Sequence, residues 1–207
     1  MKKVFVFAIV FCIIMCPVFA KGHIGATISP NWTWIGKIMD EKAPANTGST
    51  GLTLALDGGH YFGQNGGFGI EYGLGMNIPL KVWTEGVSQN VEDGSSAFVF
   101  KSGAAYRYEF SDLLGLSAGL GLGGEYSRES TYADGIKMNA SIFSLNMYGK
   151  VSADVTVINA LRISAGVTLS GPLYTNMKVS AQGESISKNL KASAFTLAPF
   201  VGVAYAY

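Results

Sequence analysis

The side chains able to do chemistry are few and far apart. His23 and His60 are the only histidines. They occupy positions of opposite parity, so on extended chain they face opposite sides, and a shared metal is not expected. Gly119-Leu-Gly121-Leu-Gly123-Gly124 spells G-x-G-x-x-G. That fingerprint needs a following helix to hold a pyrophosphate, whereas alternation continues here through Glu125 and Tyr126, so no nucleotide cofactor is expected. Asn31-Trp32-Thr33 and Asn139-Ala140-Ser141 match the glycosylation sequon without further support. What remains is a set of charges that each stand opposite the apolar residues of their own alternating segment: Asp57, Glu71, Lys101, Arg107, Glu109, Glu125, Lys150, Asp154 and Arg162. Such a set can line an ion pathway. It can equally form a network that neutralises an enclosed interior, because isolated buried charges are costly. Four bases against five acids favour the network.

Strands must position these charges. Apolar residues recur at period 2 over eight segments. In 24–34 Ile24, Ala26, Ile28, Trp32 and Trp34 oppose Gly25, Thr27, Ser29 and Thr33. In 67–82 Phe68, Ile70, Tyr72, Leu74 and Met76 oppose Gly69, Glu71, Gly73 and Gly75. The segments around 51–62, 98–108, 114–126, 143–155, 161–169 and 195–207 alternate in the same way. The hairpins predict Asp154 across from Arg162, Asp57 beside Glu71 with Arg107 diagonal to them, and Lys101 near Glu125.

Connections alternate in length. Residues 33–50, 82–94, 127–139 and 174–191 are long and polar, and those near 63–66, 109–113 and 156–160 are short. An even number of antiparallel strands with long loops at one end and tight turns at the other is the transmembrane β-barrel pattern. The expected fold is all-β: an eight-stranded antiparallel up-and-down transmembrane β-barrel, with short periplasmic turns and long extracellular loops.

Composition decides which face points outward. Charged residues make up 14% of the chain, hydrophobic residues 48% and aromatics 12%, with 27 glycines. Ordinary soluble domains carry about 25% charge. The polar face is mostly Gly, Ala, Ser and Thr, too small for a soluble surface but suited to a narrow lumen. Trp32, Trp34, Trp83 and Tyr126 close the apolar face at the long-loop end. Phe62, Phe68, Tyr108, Phe110, Tyr205 and Tyr207 close it at the other. Two aromatic girdles mark two membrane interfaces. A net charge of +1 gives no footprint for nucleic acid.

Residues 1–20 read as a cleaved Sec signal peptide: Lys2 and Lys3, an apolar run from Val4 to Cys16, then Val18-Phe19-Ala20. The run is short of the roughly 20 residues a spanning helix needs. Both cysteines, Cys12 and Cys16, lie in it, so the remaining domain, 21–207, has no disulfide.

The signal peptide, the eight strands and the final FTLAPFVGVAYAY resemble the small outer-membrane barrels of Gram-negative-type bacteria: the OmpA barrel, OmpX, OmpW and opacity-type proteins. The resemblance implies the outer membrane of a diderm bacterium and contact with lipopolysaccharide or an equivalent outer-leaflet lipid. It also implies periplasmic chaperones and barrel-assembly machinery as partners. The alternation up to Tyr207, with Val203 and Tyr205, resembles the assembly signal of that group. Nothing follows Tyr207, so the peptidoglycan-anchoring domain of full-length OmpA is not expected. Acyl-transfer barrels of this size carry a His/Ser/Asp set at the outer rim. No histidine lies in the long loops here, so an enzyme is not expected, nor any cofactor. The expected function is a monomeric surface structural or interaction protein whose loops meet a host or small-molecule ligand. The alternative is a narrow channel, or an OmpW-like transporter for small or hydrophobic solutes. Pro30 and Pro199, expected at one height on the closing seam, motivate the latter.

Overall fold

The computed structural model describes residues 21–38, 41–63, 66–91, 95–133, 136–158, 160–181 and 184–207. The signal segment 1–20 and the acid Asp40 lie outside the described residues. The strands are β1 (Lys21–Ile38), β2 (Glu41–Lys42), β3 (Gly48–Tyr61), β4 (Gly66–Thr84), β5 (Val87–Asn90), β6 (Ala97–Glu109), β7 (Leu114–Ala133), β8 (Ile136–Ile158), β9 (Leu161–Ala181), β10 (Glu184–Leu190) and β11 (Ser193–Ala206). Eight of them form a ring in the order β1-β3-β4-β6-β7-β8-β9-β11, closed by antiparallel pairing of β11 with β1. Each remaining strand pairs with one wall strand beyond the ring: β2 with β1, β5 with β4 and β10 with β9.

Burial is inverted relative to a soluble protein. The exposed residues are the apolar ones: Leu56, Phe68, Leu74, Leu120, Val151 and Val201 all stand on the outer face. The buried ones are largely polar and charged: Asp57, Glu71, Arg107, Lys150 and Asp154. Alternation with period 2 produces both faces at once, and closure leaves the wall without edges in the apolar zone.

Two of the long connections are more regular than their sequence suggests. Residues 127–139 and 174–191 read as loops, yet β7 continues to Ala133, β8 begins at Ile136, and β9 and β10 pair from Glu184↔Ala181 to Leu190↔Thr175. Hairpin pairing satisfies backbone groups there without an apolar face to announce it. The turn between β4 and β5 is a two-residue loop in which Glu85 and Gly86 both have positive φ, 54° and 83°. Both central residues of a type I′ hairpin turn need that conformation.

Two of the wall's irregularities bear on its outer face and its seam. Pro79 faces Gly51 and Lys81 faces Thr50, so Leu80 is the extra residue of a bulge. The bulge brings Trp83 to the outer face, where its ring lies over Gly48, the residue that also faces Trp34. On the closing seam the β1–β11 ladder passes from Ile28↔Val201 directly to Trp32↔Leu197. Pro30 and Pro199 lie in that interval, where neither has an N–H to donate.

Candidate functional site

The lumen is filled in layers. Nearest the short turns, Arg107 and Asp154 form a fork: Nη1 to Oδ1 at 2.5 Å and Nη2 to Oδ2 at 2.6 Å. A two-bond fork between a planar guanidinium and a carboxylate fixes both side chains. Arg107 Nε also donates to Glu109 Oε1 at 3.2 Å, and Lys21 Nζ donates to Glu109 Oε2 at 3.1 Å. Arg162 completes this layer, 3.5 Å from Glu109 Oε1 and 4.0 Å from Asp154 Oδ2.

One layer up, Lys150 on β8 reaches across the lumen to Glu71 on β4 at 3.1 Å, and both are buried. Tyr61 donates its hydroxyl to the other oxygen of Glu71 at 2.6 Å. The Phe200 ring lies 5.2 Å from the Lys150 ammonium, and the Arg107 guanidinium carbon lies 5.8 Å from the Tyr61 ring centre. His23 stacks on Tyr61 from inside the wall. The cavity left among these groups is about 30 Å³, room for about two waters.

Above it, Lys101 Nζ pairs with Asp57 Oδ1 at 2.9 Å, and Thr27 donates to Asp57 Oδ2 at 2.8 Å. The Lys101 chain passes over Gly73 on the intervening strand. A Cβ at Gly73 would fall 2.7 Å from Lys101 Cε, so the bridge needs that glycine. Tyr148 is placed in the same way, its hydroxyl 2.7 Å and 2.8 Å from where Cβ atoms would stand at Gly103 and Gly121.

The registers differ from those the hairpins predict, although Asp154 and Arg162 still meet at 4.0 Å. Asp57 faces Gly73, and Glu71 faces Gly59, one step away from the expected pairing. The turn is wider than expected, with Phe62 N bonded to Phe68 O. Arg107 therefore goes to Asp154 on β8 rather than toward Asp57. Asp154 faces Ser164, while Arg162 faces Thr156, because the β8–β9 hairpin carries a bulge between Thr156 and Ile158. Lys101 lies diagonal to Glu125, with Gly123 opposite it, but its ammonium goes to Asp57. Glu125 accepts instead from Asn77 Nδ2 at 3.1 Å.

Toward the hairpin end the lumen widens into a cup of about 180 Å³. Asn31, Thr53, Asn77 and Glu125 form one arc of its wall, joined by hydrogen bonds. Asn31 Nδ2 donates to Thr53 Oγ1 at 3.1 Å and to Asn77 Oδ1 at 3.0 Å. Asn146, Thr168 and Ser170 line the remaining arc. The sequence reading singles out charges and so misses these neutral residues, although their inward parity is readable.

The aromatic and terminal residues stand on the outer face. Trp32, Trp34 and Tyr126 are exposed toward the hairpin end, and Tyr205 and Tyr207 toward the other. Val203 is exposed on β11. His60 lies on the outer side of the wall from His23, covered by Tyr72 and Tyr207. The Tyr72 hydroxyl is 3.1 Å from His60 Nε2, and the Tyr207 hydroxyl is 3.2 Å from Nδ1. Among the described residues no group of three or more His, Cys, Asp or Glu is placed to hold a metal.

No family model matches the chain, and no curated protein matches it. Solved structures do. The outer-membrane protein OprG from Pseudomonas aeruginosa aligns over 91% of this chain and 96% of its own, with TM-score 0.57 and 12% identity. Ail, the attachment invasion locus protein of Yersinia pestis in complex with the heparin analogue sucrose octasulfate, aligns over 91% of this chain and 99% of its own, with TM-score 0.52 and 8% identity. A major outer-membrane protein from Thermus thermophilus aligns over 89% and 99%, with TM-score 0.52 and 10% identity. At such identities the likeness is one of architecture, and the architecture of this chain is that of the small outer-membrane β-barrels.

Proposed function

We propose that the protein resides in the outer membrane of a diderm bacterium and acts there as a surface interaction protein through its hairpins. The observation that carries this reading is the sheet beyond the ring. There β7, β8 and β9 run on in register, and β10 pairs only with β9 among the described residues. Residues 184–189 are exposed, Ile186 most of all at 76%. A strand with an unpaired edge above a rigid barrel is a template for a partner's extended chain. Ail, a barrel of the same architecture in complex with a heparin analogue, gives ligand binding on this scaffold a precedent. The ion pairs support the same reading, because they occupy the axis where a conducting pore would run.

The outer apolar zone is suited to lipid, with Trp32, Trp34, Trp83 and Tyr126 at the outer-leaflet interface and Tyr205 and Tyr207 at the other. Delivery by periplasmic chaperones and barrel-assembly machinery, with Val203, Tyr205 and Tyr207 as the signal, belongs to this reading, as does a monomer. In the test, residues 182–191 are replaced by a short turn and attachment of expressing cells to host surfaces is measured. Attachment should fall to background while the barrel still forms. Unchanged attachment, or large stable single-channel currents from the intact protein, would sink the reading.

A second reading has its own support in the seam. The missing ladder bonds at Pro30 and Pro199 weaken the wall at one height, where Ser29 Oγ bonds Pro199 O at 2.8 Å. Lateral passage of small apolar solutes through that interval would be lost in Pro30→Val/Pro199→Val. Unchanged alkane uptake by that variant would remove this reading.

A further inference from the structure

With Lys21, which pairs with Glu109 at the base, ten charges face the lumen, and nine of them have ion-pair partners. Asp57 holds Lys101, Glu71 holds Lys150, and Asp154 and Glu109 hold Arg107 and Arg162. Glu125 is the odd acid. None of the ion pairs among the described residues includes it, and its one side-chain partner is the Asn77 amide on Oε1. One carboxylate thus stands outside the ion pairs, in the wall of the 180 Å³ cup rather than in the packed layers below.

The surroundings of Glu125 are built rather than incidental. Asn77 is fixed by Asn31, and Asn31 by Thr53, so the carboxylate is held by a chain of hydrogen bonds crossing β1, β3 and β4. Its Oε2 has no bonded partner in that chain. On the other arc, Asn146, Thr168 and Ser170 line the cup and make no side-chain hydrogen bond to another described residue. One wall offers a carboxylate held in place and the other offers unused hydroxyl and amide groups. The floor contains the Lys101 ammonium, already committed to Asp57, which disfavours a second positive charge on any occupant.

We propose that the cup is a binding site for a small hydroxylated monoammonium solute of about monosaccharide size. Its ammonium would donate to Glu125, and its hydroxyls would bond Asn146, Thr168 and Ser170. Charge-assisted hydrogen bonds are roughly twice as strong as neutral ones, so the amine should dominate selection. This site is inside the wall and independent of the β10 edge.

The test uses the full-length barrel in lipid nanodiscs, titrated with D-glucosamine, D-glucose and N-acetyl-D-glucosamine at neutral pH. The first two differ by one amino group, and the third carries that amine neutralised. Calorimetry and amide chemical shifts supply the readouts. Glucosamine should bind roughly tenfold or more tightly than either neutral sugar, with shifts at Glu125, Asn146 and Thr168. Glu125→Gln should reduce glucosamine to the level of glucose. Equal affinity for the three sugars, no glucosamine binding, or undiminished binding in folded Glu125→Gln would overturn the proposal. Should Glu125→Gln fail to fold, the glucosamine comparison in the unmodified protein decides alone. Replacing 182–191 with a short turn should leave the affinity unchanged, which separates this site from partner capture by β10.

Discussion

Lys150 sits 8% exposed, with its ammonium between the Glu71 carboxylate and the Phe200 ring. Breaking such a pair leaves an uncompensated charge in a dry place, whereas removing both partners does not. Glu71→Gln should therefore lower stability by about 3–5 kcal/mol, and Glu71→Gln/Lys150→Met should recover much of the loss. Denaturant unfolding in micelles, followed by tryptophan fluorescence, measures both. Lys21→Ala removes a pair whose lysine is half exposed, so its cost should stay within about 1 kcal/mol. The inward parity of Glu71 and Lys150 was readable from sequence, because alternation fixes the face. Their partnership was not. It crosses the lumen between strands that are not neighbours, and no hairpin register contains that information. Asp57 and Arg162 show the local version of the problem, since turn width and a bulge moved each by one pairing step.

At the scale of the element, the bulge at Leu80 decides which way the end of β4 faces. With side chains alternating at period 2, one extra residue turns every later side chain to the other side. Deleting Leu80 should remove the bulge and leave Lys81 opposite Thr50 and Trp83 opposite Gly48 on the outer face. In a Trp32→Phe/Trp34→Phe background, quenching of the remaining tryptophan by brominated lipid should then be retained. Lost quenching would show that the pairing of β4 with β3 had slipped by one residue. The eight wall strands were legible because lipid on one side and lumen on the other impose contrasting residues. The extensions of β7, β8, β9 and β10 carry no strict apolar alternation, so they read as loop. The Pro30 and Pro199 interval was legible as a pair of positions, since hairpin counting places them on one seam.

The whole molecule is held by closure, without disulfides in the described wall. Tyr207 and Gly22 exchange backbone hydrogen bonds at 2.9 Å and 3.0 Å, and the Tyr207 ring covers Gly22 while its hydroxyl meets His60 on the next strand. The last residue thus clamps three strands at the seam. Tyr207→Ala should slow formation of the compact, unboiled gel species during refolding into vesicles, and Tyr207→Phe should retain most of the rate. Equal slowing in both would assign the effect to the hydroxyl rather than to ring packing.

The layering of the lumen also sets direction. The ion-paired layers lie beneath the cup, toward the short turns. On the proposed reading, in which those layers conduct no ions, the cup is a vessel with one mouth. Its filling would then track the medium outside the cell and be insensitive to the composition of the space beneath the membrane.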